Sequence, residues 1–542
     1  MHRGLQIREI VDLIMFSLDP DLTRDSRALV TLARTAKLFH DPALDVLWKT
    51  QDTPANLLRC MPDGVFHVDI IDTPFTALRL LRPIVAKDWE RPRVYMNRVK
   101  ALSFASSRFL SLSGVFPALA ICLPGDCIFP KLTKISWGPP EDDFQYINLF
   151  LTETIASLSM FSTYSHRQLC LLSTLTRRCP ALVDVAVWLR GSLGIAADDV
   201  SAVNMAMSSF IRGQQGLHSL KVQVVDMATL DHIAQLPALR SLHLFALPPA
   251  LLTSPTSGVS TFLHLGSLTF TGVAVELATK FLSMVIESAL ESLKIGFDPS
   301  APTAAMELFS AALANCRRSH ASLTSCDLDI WSSATGTVEH HITGITLFSN
   351  LSYFDHLTQL KIATWWGFEL NDAAVGALTK VWPRLERLEL TEGLYVLGKS
   401  PTIECLPLIA RNCPMLQTLT LTFDASVAPL PTRALVAQTN LVDLDVAHSP
   451  ISDSLSVARF ISAIFPDLYS VYTTREDHDN EDEEELEAHG EAIAFHRKWK
   501  EVETQIPVLA AVREEGQLWS YADSDLGEPD AIQSLTSLIA SS

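Results

Sequence analysis

Charge is scarce in this chain of 542 residues: Asp, Glu, Lys and Arg make up 19% of it, against 48% hydrophobic residues. So much apolar material excludes a chain that is disordered over most of its length. Positive charge is the scarcer sign. Lys and Arg number 42 against 61 Asp and Glu, a formal net charge of -19. Nothing would neutralise the phosphates of a nucleic acid, so none is expected as a main partner. Much of the excess is local, because nine of the twelve residues from Glu476 to Glu487 are acidic. That run reads as a solvated loop, with docking of a basic partner as the alternative. Cysteine is sparse and odd in number, nine without a dense framework, which fits a reducing compartment and thiols used as small apolar residues. Cys122 and Cys127 are near enough in sequence to oxidise together, but buried structural thiols are the simpler expectation.

Long apolar runs are missing too. The opening MHRGLQIREIVDLIMF is interrupted by Arg8, Glu9 and Asp12 and does not read as a signal peptide. The best membrane candidate, Gly114 to Pro130, carries Pro117, Pro124 and Asp126 and is too short to span. The expectation is no membrane partner and a place in the cytoplasm, the nucleus or both; the Asn350-Leu-Ser sequon then carries no meaning. Catalytic constellations are equally thin. No Cys-x-x-Cys, His-Glu-x-x-His or Gly-x-Ser-x-Gly occurs, and the adjacent His340 and His341 cannot easily face one metal. Gly393 to Ser400 spells a P-loop, Gly-x-x-x-x-Gly-Lys-Ser, after the segment LERLEL. Its bulky interior, with Pro401 and Pro407 following, favours a connecting loop over a phosphate cradle, and Asp424 fits a repeat as well as a Mg²⁺ ligand. No catalytic residue, metal or cofactor is expected, and the chain is not read as an enzyme.

What the sequence has is repetition. The pattern L-x-x-L-x-L, with other large apolar residues allowed, recurs from VKALSF at Val99 through LTKISW at Leu132, LRSLHL at Leu239 and LTQLKI at Leu357 to a worn LYSVYT at Leu468. With IASLSM at Ile155 counted there are about fourteen copies, 22 to 35 residues apart, the length of one strand plus a return. Stretches between copies, such as Glu276 to Glu287, Ala304 to Arg317 and Ser454 to Ile464, carry apolar residues at helical spacing. Prolines at 180, 237, 383, 414 and 466 stop the returns just before a strand. Copies of one hexapeptide argue for a stacked α/β solenoid rather than a doubly wound sheet, whose strands would vary in pattern. The first and last apolar positions should point inward, and the residue between the last two outward.

The hexapeptide, with the Cys-Pro-x-Leu lead-ins at Cys179 and Cys413, resembles the irregular leucine-rich repeats of F-box proteins. The resemblance implies a leucine-rich-repeat horseshoe with the inner sheet as its concave, substrate-holding face. Its central outward row then reads Ser103, Ser136, Ala186, Lys221, His243, Thr269, Lys294, Asp327, Lys361, Glu389, Thr420 and Asp445, basic in the middle and acidic towards the end. Trp365, Trp366 and Phe368, after LTQLKI, are candidate anchors for a partner or else core residues beneath the rim.

Residues 5 to 48 show three helical stripes: Ile7, Ile10, Val11, Ile14 and Leu18; Leu29, Leu32, Ala33 and Ala36; Ala43, Leu44, Leu47 and Trp48. Asp19-Pro20 separates the first two, and Asp41-Pro42 reads as the cap and first turn of the third. So small a core needs a neighbour. The stretch resembles the F-box of mushroom-forming fungi: Ile7 and Glu9-Ile10 match its start, Leu32 to Phe39 its "L-A-x-T-x-K-x-F" middle, and Ala43 to Trp48 its end. Arg8 stands where that family usually has Pro. The resemblance implies binding of the Skp adaptor of a cullin-type ubiquitin ligase through Ile7, Glu9, Ile10, Ile14, Leu18, Leu29, Leu32 and Ala33. The alternative is a plain helical cap on the solenoid. The expected organisation is an F-box-like module over 1–50, a linker and N-terminal cap over 51–98 and the solenoid over 99–473. An acidic loop over 474–488 and a C-terminal helical cap and tail over 489–542 complete it. In that cap Ile493, Phe495, Trp499 and Val502 face the last repeat, and His489, His496, Arg497 and Lys498 face away. The function so implied is substrate recognition for the ligase, the protein substrate being unknown; the alternative is a leucine-rich-repeat scaffold unconnected to ubiquitin.

Overall fold

The computed structural model describes residues 7–19, 26–72, 75–105, 110–138, 141–163, 166–190, 197–223, 225–253, 261–298, 303–330, 344–364, 368, 370–392, 400–431, 435–473 and 490–525. They fall into two compact units, one of residues 1–255 with 261–265, the other of 256–260 with 266–542.

The first unit opens with the three expected helices, Arg8–Ser17, Arg27–Thr35 and Lys37–Lys49. Val11, Met15, Leu29, Phe39 and Ala43 form their shared core. The third helix does not begin at Asp41-Pro42. It starts at Lys37, after an extended Ala36, and Pro42 lies inside it. The chain break is therefore made by Ala36, and the proline forgoes one hydrogen bond near the start of the helix. This helix runs straight into Thr50–Gln51, the first strand of the sheet, one strand ahead of the first hexapeptide. Arg98 ties the helices down: it donates to the carboxylates of Asp41, at 2.7 Å, and Asp45, while Trp48 stacks on Tyr95 with ring centroids 4.4 Å apart. The stretch 51–98, expected as a linker and N-terminal cap, holds a hairpin, Phe66–Asp72 with Phe75–Leu80, whose second strand pairs in parallel with Leu110–Ser111.

All fourteen hexapeptides become strands of a parallel sheet, each starting at its third residue. In the first unit Thr50–Gln51, Ala101–Ala105, Lys134–Gly138, Ser157–Thr163, Asp184–Arg190, Ser219–Val222 and Ser241–Leu244 follow in order. In the second unit the strands are Ser267–Val273, Ser292–Phe297, Ser325–Ile330, Gln359–Thr364, Arg387–Glu392, Thr418–Leu421, Asp443–Asp445 and Ser470–Tyr472. This is a leucine-rich-repeat α/β solenoid. Its register is set by the inward triplets: Leu290, Leu293 and Ile295 are fully buried, as are Leu357, Leu360 and Ile362 in their own copy. A slip of one residue would turn each triplet to solvent, so equivalent positions pair from strand to strand within each unit.

Helices Val275–Leu282, Thr303–Ala314 and Ser454–Ile464 make the expected returns. The lead-in Cys413 acquires a structural reason. The Cys413 thiol donates to the carbonyls of Thr379, at 3.5 Å, and Trp382, at 3.4 Å, which end the preceding return. Each carbonyl also accepts a backbone N–H, from Trp382 and Leu385 respectively, and a small thiol beneath the next repeat adds to these bonds without bringing charge into the core. The helix Gly490–Asp525, in the stretch expected to cap the array, packs on Ser454–Ile464. Trp499, Val502 and Ile506 are buried, and the Trp499 indole donates to the Ser449 carbonyl at 2.9 Å. Glu503 accepts the Val471 backbone N–H at 2.9 Å, satisfying a donor of the last strand and blunting its edge. His496 and Lys498, expected on the polar side, are drawn into this cap: His496 meets the Thr473 hydroxyl and Lys498 the Ile451 and Ser452 carbonyls.

Candidate protein-interaction faces

Because a strand alternates its side chains, the burial of each leucine triplet places the intervening residues on the opposite face. In the first unit the register aligns Ser103, Ser136, Ser159, Ala186, Lys221 and His243 in one outward row. That row is mostly small, so backbone lies close to the surface. Two residues beyond Ser159, Ala186 and His243 stand large rings. Phe161 and Trp188 are register partners and stack at 6.0 Å, Trp188 meets Phe245 edge-on at 4.6 Å, and Phe245 stacks on His243 at 4.6 Å. Phe161 is 40% exposed and the other three are half-buried. Of this cluster the hexapeptide row contains only His243. Its three other members occupy the seventh position of their copies, one residue past the pattern, and reading that position would have found them.

The second unit carries a ladder of charge. Lys294, Asp327, Lys361, Glu389, Thr420, Asp445 and Tyr472 are successive register partners. Lys294 donates to Asp327 at 2.7 Å; Lys361 reaches Glu389 at 3.3 Å, and Arg387, in the neighbouring row, donates to the same carboxylate at 2.8 Å. The two signs lie at different depths. The cationic side chains are 59%, 45% and 51% exposed, whereas Asp327 and Glu389 are 19% and 15% exposed. Burial would raise the Glu389 carboxyl, but the Arg387 hydrogen bond and the Lys361 charge outweigh it and hold it below the usual carboxylate range. Ser325, Asp327, Gln359, Lys361, Arg387 and Glu389 line a shallow depression of about 300 Å³ on this face.

The other expected anchors separate. Phe368 is buried, with its ring 6.0 Å from that of Phe348, and belongs to the core. Trp365, Trp366, His340, His341, the loop from Gly393 to Lys399 and the acidic run from Glu476 to Glu487 lie outside the described residues. Asp424 is tied into the repeats: its backbone N–H donates to the Pro401 carbonyl at 2.8 Å, and its side chain accepts from Ser426 N–H. Among the described residues no cluster of three metal-ligating side chains occurs. No helix among them is long and apolar enough to cross a membrane.

In the N-terminal helices, Leu29 is fully buried, and Leu18, Leu32 and Ala33 pack against the module's core. Ile14 is half-buried, while Ile7, Glu9 and Ile10 are exposed. Leu13, 69% exposed, and Phe16 extend that apolar stripe along the helix Arg8–Ser17. The helical-stripe reading had missed both, since Leu13 and Phe16 fall outside the stripe that faces the core.

No protein-family model and no curated protein matches this chain. Among solved structures it is similar to the TLR13–ssRNA13 complex, with 14% identity over 70% of this chain and 50% of that one and a TM-score of 0.38. It is also similar to the mouse RP105/MD-1 complex, with 14% identity over 69% and 50% of the respective chains and a TM-score of 0.31. The chain spans about half the length of each.

Proposed function

We propose that this chain is a protein-holding scaffold that performs no bond chemistry, and that a partner lies on the outward faces of its parallel sheet. The observation that supports this most is the division of labour within each hexapeptide. Inward residues are buried almost without exception, whereas the outward ones form register-aligned rows, bordered by partly exposed rings in one unit and carrying exposed cations in the other. Aromatic rings and Arg are the side chains most often found at the energetic centre of protein interfaces. Affinity capture from the native cell tests this with Trp188→Ala and Arg387→Ala forms. A partner retained undiminished by both would remove the reading.

A finer reading is that the N-terminal helices dock the scaffold onto a Skp-type adaptor of a cullin assembly, making it the substrate-recognition subunit of a ubiquitin ligase in the cytoplasm or nucleus. The F-box resemblance suggests it, and the exposed stripe of Ile7, Ile10, Leu13 and Phe16 favours it. An apolar helix face left exposed among the described residues is suited to another protein's groove. Leu29, Leu32 and Ala33 would act from beneath, by holding that helix in place. The chain would contribute proximity, bringing a substrate lysine near a ubiquitin carrier bound elsewhere in the assembly. Co-purification with the Skp adaptor should succeed for the full chain and fail for Ile10→Asp with Leu13→Asp. A folded full chain that does not bind the adaptor removes this finer reading and leaves the scaffold.

A further inference from the structure

The charges on the outward face of the second unit are ordered, and their order specifies a partner. Lys361 and Arg387 occupy neighbouring strands, Lys294 lies two strands before Lys361 with the strand of Asp327 between them, and Asp443 and Asp445 share a strand two beyond that of Arg387. The register is continuous between them: Arg387 pairs with Thr418 and Thr418 with Asp443, while Glu389 pairs with Thr420 and Thr420 with Asp445. One strand bearing only threonine in these rows therefore separates a cationic field from an anionic one. The cationic field is not cancelled by its own carboxylates. Asp327 and Glu389 lie beneath the cations, each already accepting from them, so an approaching group meets N–H donors first. Arg387 uses one of its five N–H groups on Glu389, and Lys294 one of its three on Asp327.

We propose that this face holds an extended protein segment laid across the strands, its carboxylate over Lys361 and Arg387 and its Lys or Arg over Asp443 and Asp445. Strands lie about 4.8 Å apart, so the two fields are roughly 10 Å from each other. An extended chain rises about 3.3 Å per residue, which puts the carboxylate and the cation about three residues apart. Tyr472, partly exposed in the same row as Asp445, offers a ring beside the basic end. A purely acidic segment would be repelled at Asp443 and Asp445, and a purely basic one at Lys361 and Arg387. Charge order, rather than net charge, is what this face reads.

This inference rests on the scaffold reading and is tested apart from it. Random twelve-residue peptides displayed on phage are selected against the folded full chain, and the enriched ones are synthesised and measured at low and high salt. The expected peptides carry Asp or Glu three positions from Lys or Arg. Their affinity should fall about fivefold with each of Lys361→Gln and Arg387→Gln, the upper end for an exposed ion pair, and should weaken with salt. Asp443→Lys should shift selection toward peptides acidic at both ends, while the conservative Lys361→Arg keeps the original preference. Peptides without that charge pair, which lose affinity only with Trp188→Ala, would overturn the charge-order inference and leave the scaffold reading standing. Peptides indifferent to every outward substitution would overturn both.

Discussion

Leu360 and Lys361 are adjacent in sequence and point to opposite sides of the same strand, so one pair of substitutions tests how the whole array is read. Leu360 is fully buried between the sheet and the returns. Replacing it by Ala removes most of an apolar side chain and leaves a cavity, which costs about 2 to 5 kcal/mol in well-packed cores. The upper half of that range applies here, because the repeats on both sides are pinned by register and cannot collapse inward. Lys361→Ala removes a half-exposed ion pair of 3.3 Å, and Glu389 keeps its Arg387 partner at 2.8 Å. Its cost should be about 0 to 1 kcal/mol. Urea unfolding followed by far-ultraviolet circular dichroism measures both. Since stacked repeats can open in parts, hydrogen exchange in the flanking strands Ser325–Ile330 and Arg387–Glu392 should report the same ranking locally. Equal costs for the two variants, or less than about 1 kcal/mol for Leu360→Ala, would refute the inward and outward assignment.

Thiol chemistry should follow burial. Cys170 is exposed, whereas burial pushes Cys179 up to about 11 and Cys316, Cys326 and Cys413 up to about 12. Burial raises Cys405 as well, so iodoacetamide at neutral pH should label Cys170 in the folded chain and reach the five buried cysteines only after denaturation; mass spectrometry of the peptides decides it. Acid should weaken the charge ladder. Because the Glu389 carboxyl is held below its ordinary value of 4.5, its contribution is present above that value and is lost as the pH falls through the lowered one. Glu389→Gln should flatten that part of the stability profile, and an unchanged acid limb would contradict the assignment. In the cap, Trp499→Ala should destabilise the last repeats by about 3 to 5 kcal/mol, read as faster hydrogen exchange in Ser470–Tyr472 before the rest of the second unit.

The core was legible in the sequence because burial imposes a period. Leu, x, x, Leu, x, Leu repeats since each copy must present the same three side chains to the same interior, and even worn copies such as IASLSM and LYSVYT keep that constraint and form strands. Short irregular elements were harder. The hairpin Phe66–Asp72 with Phe75–Leu80 stands outside the array, so no neighbouring copy repeats its pattern. The start of the third helix was misplaced because an Asp-Pro pair is a good cap locally, and the extended conformation of Ala36, which has no sequence signature, decides the boundary.

The outward face follows a different logic, and this explains why only part of it could be read. Its positions are countable, so the row from Lys294 to Asp445 follows from the hexapeptide alone. Nothing in packing dictates what occupies them, and so nothing in the repeat marks where interaction residues cluster. Phe161, Trp188 and Phe245 are separate large rings in sequence, 27 and 57 residues apart, and only the register gathers them around His243. The depth of Asp327 and Glu389 beneath their cations is likewise a property of side-chain length and pairing, invisible to a count of charges. A degenerate repeat thus leaves its interior predictable from one strand at a time, while recognition depends on what several strands bring side by side. Variation at outward positions costs the fold little, which lets the same solenoid be refitted to a new partner without disturbing its core.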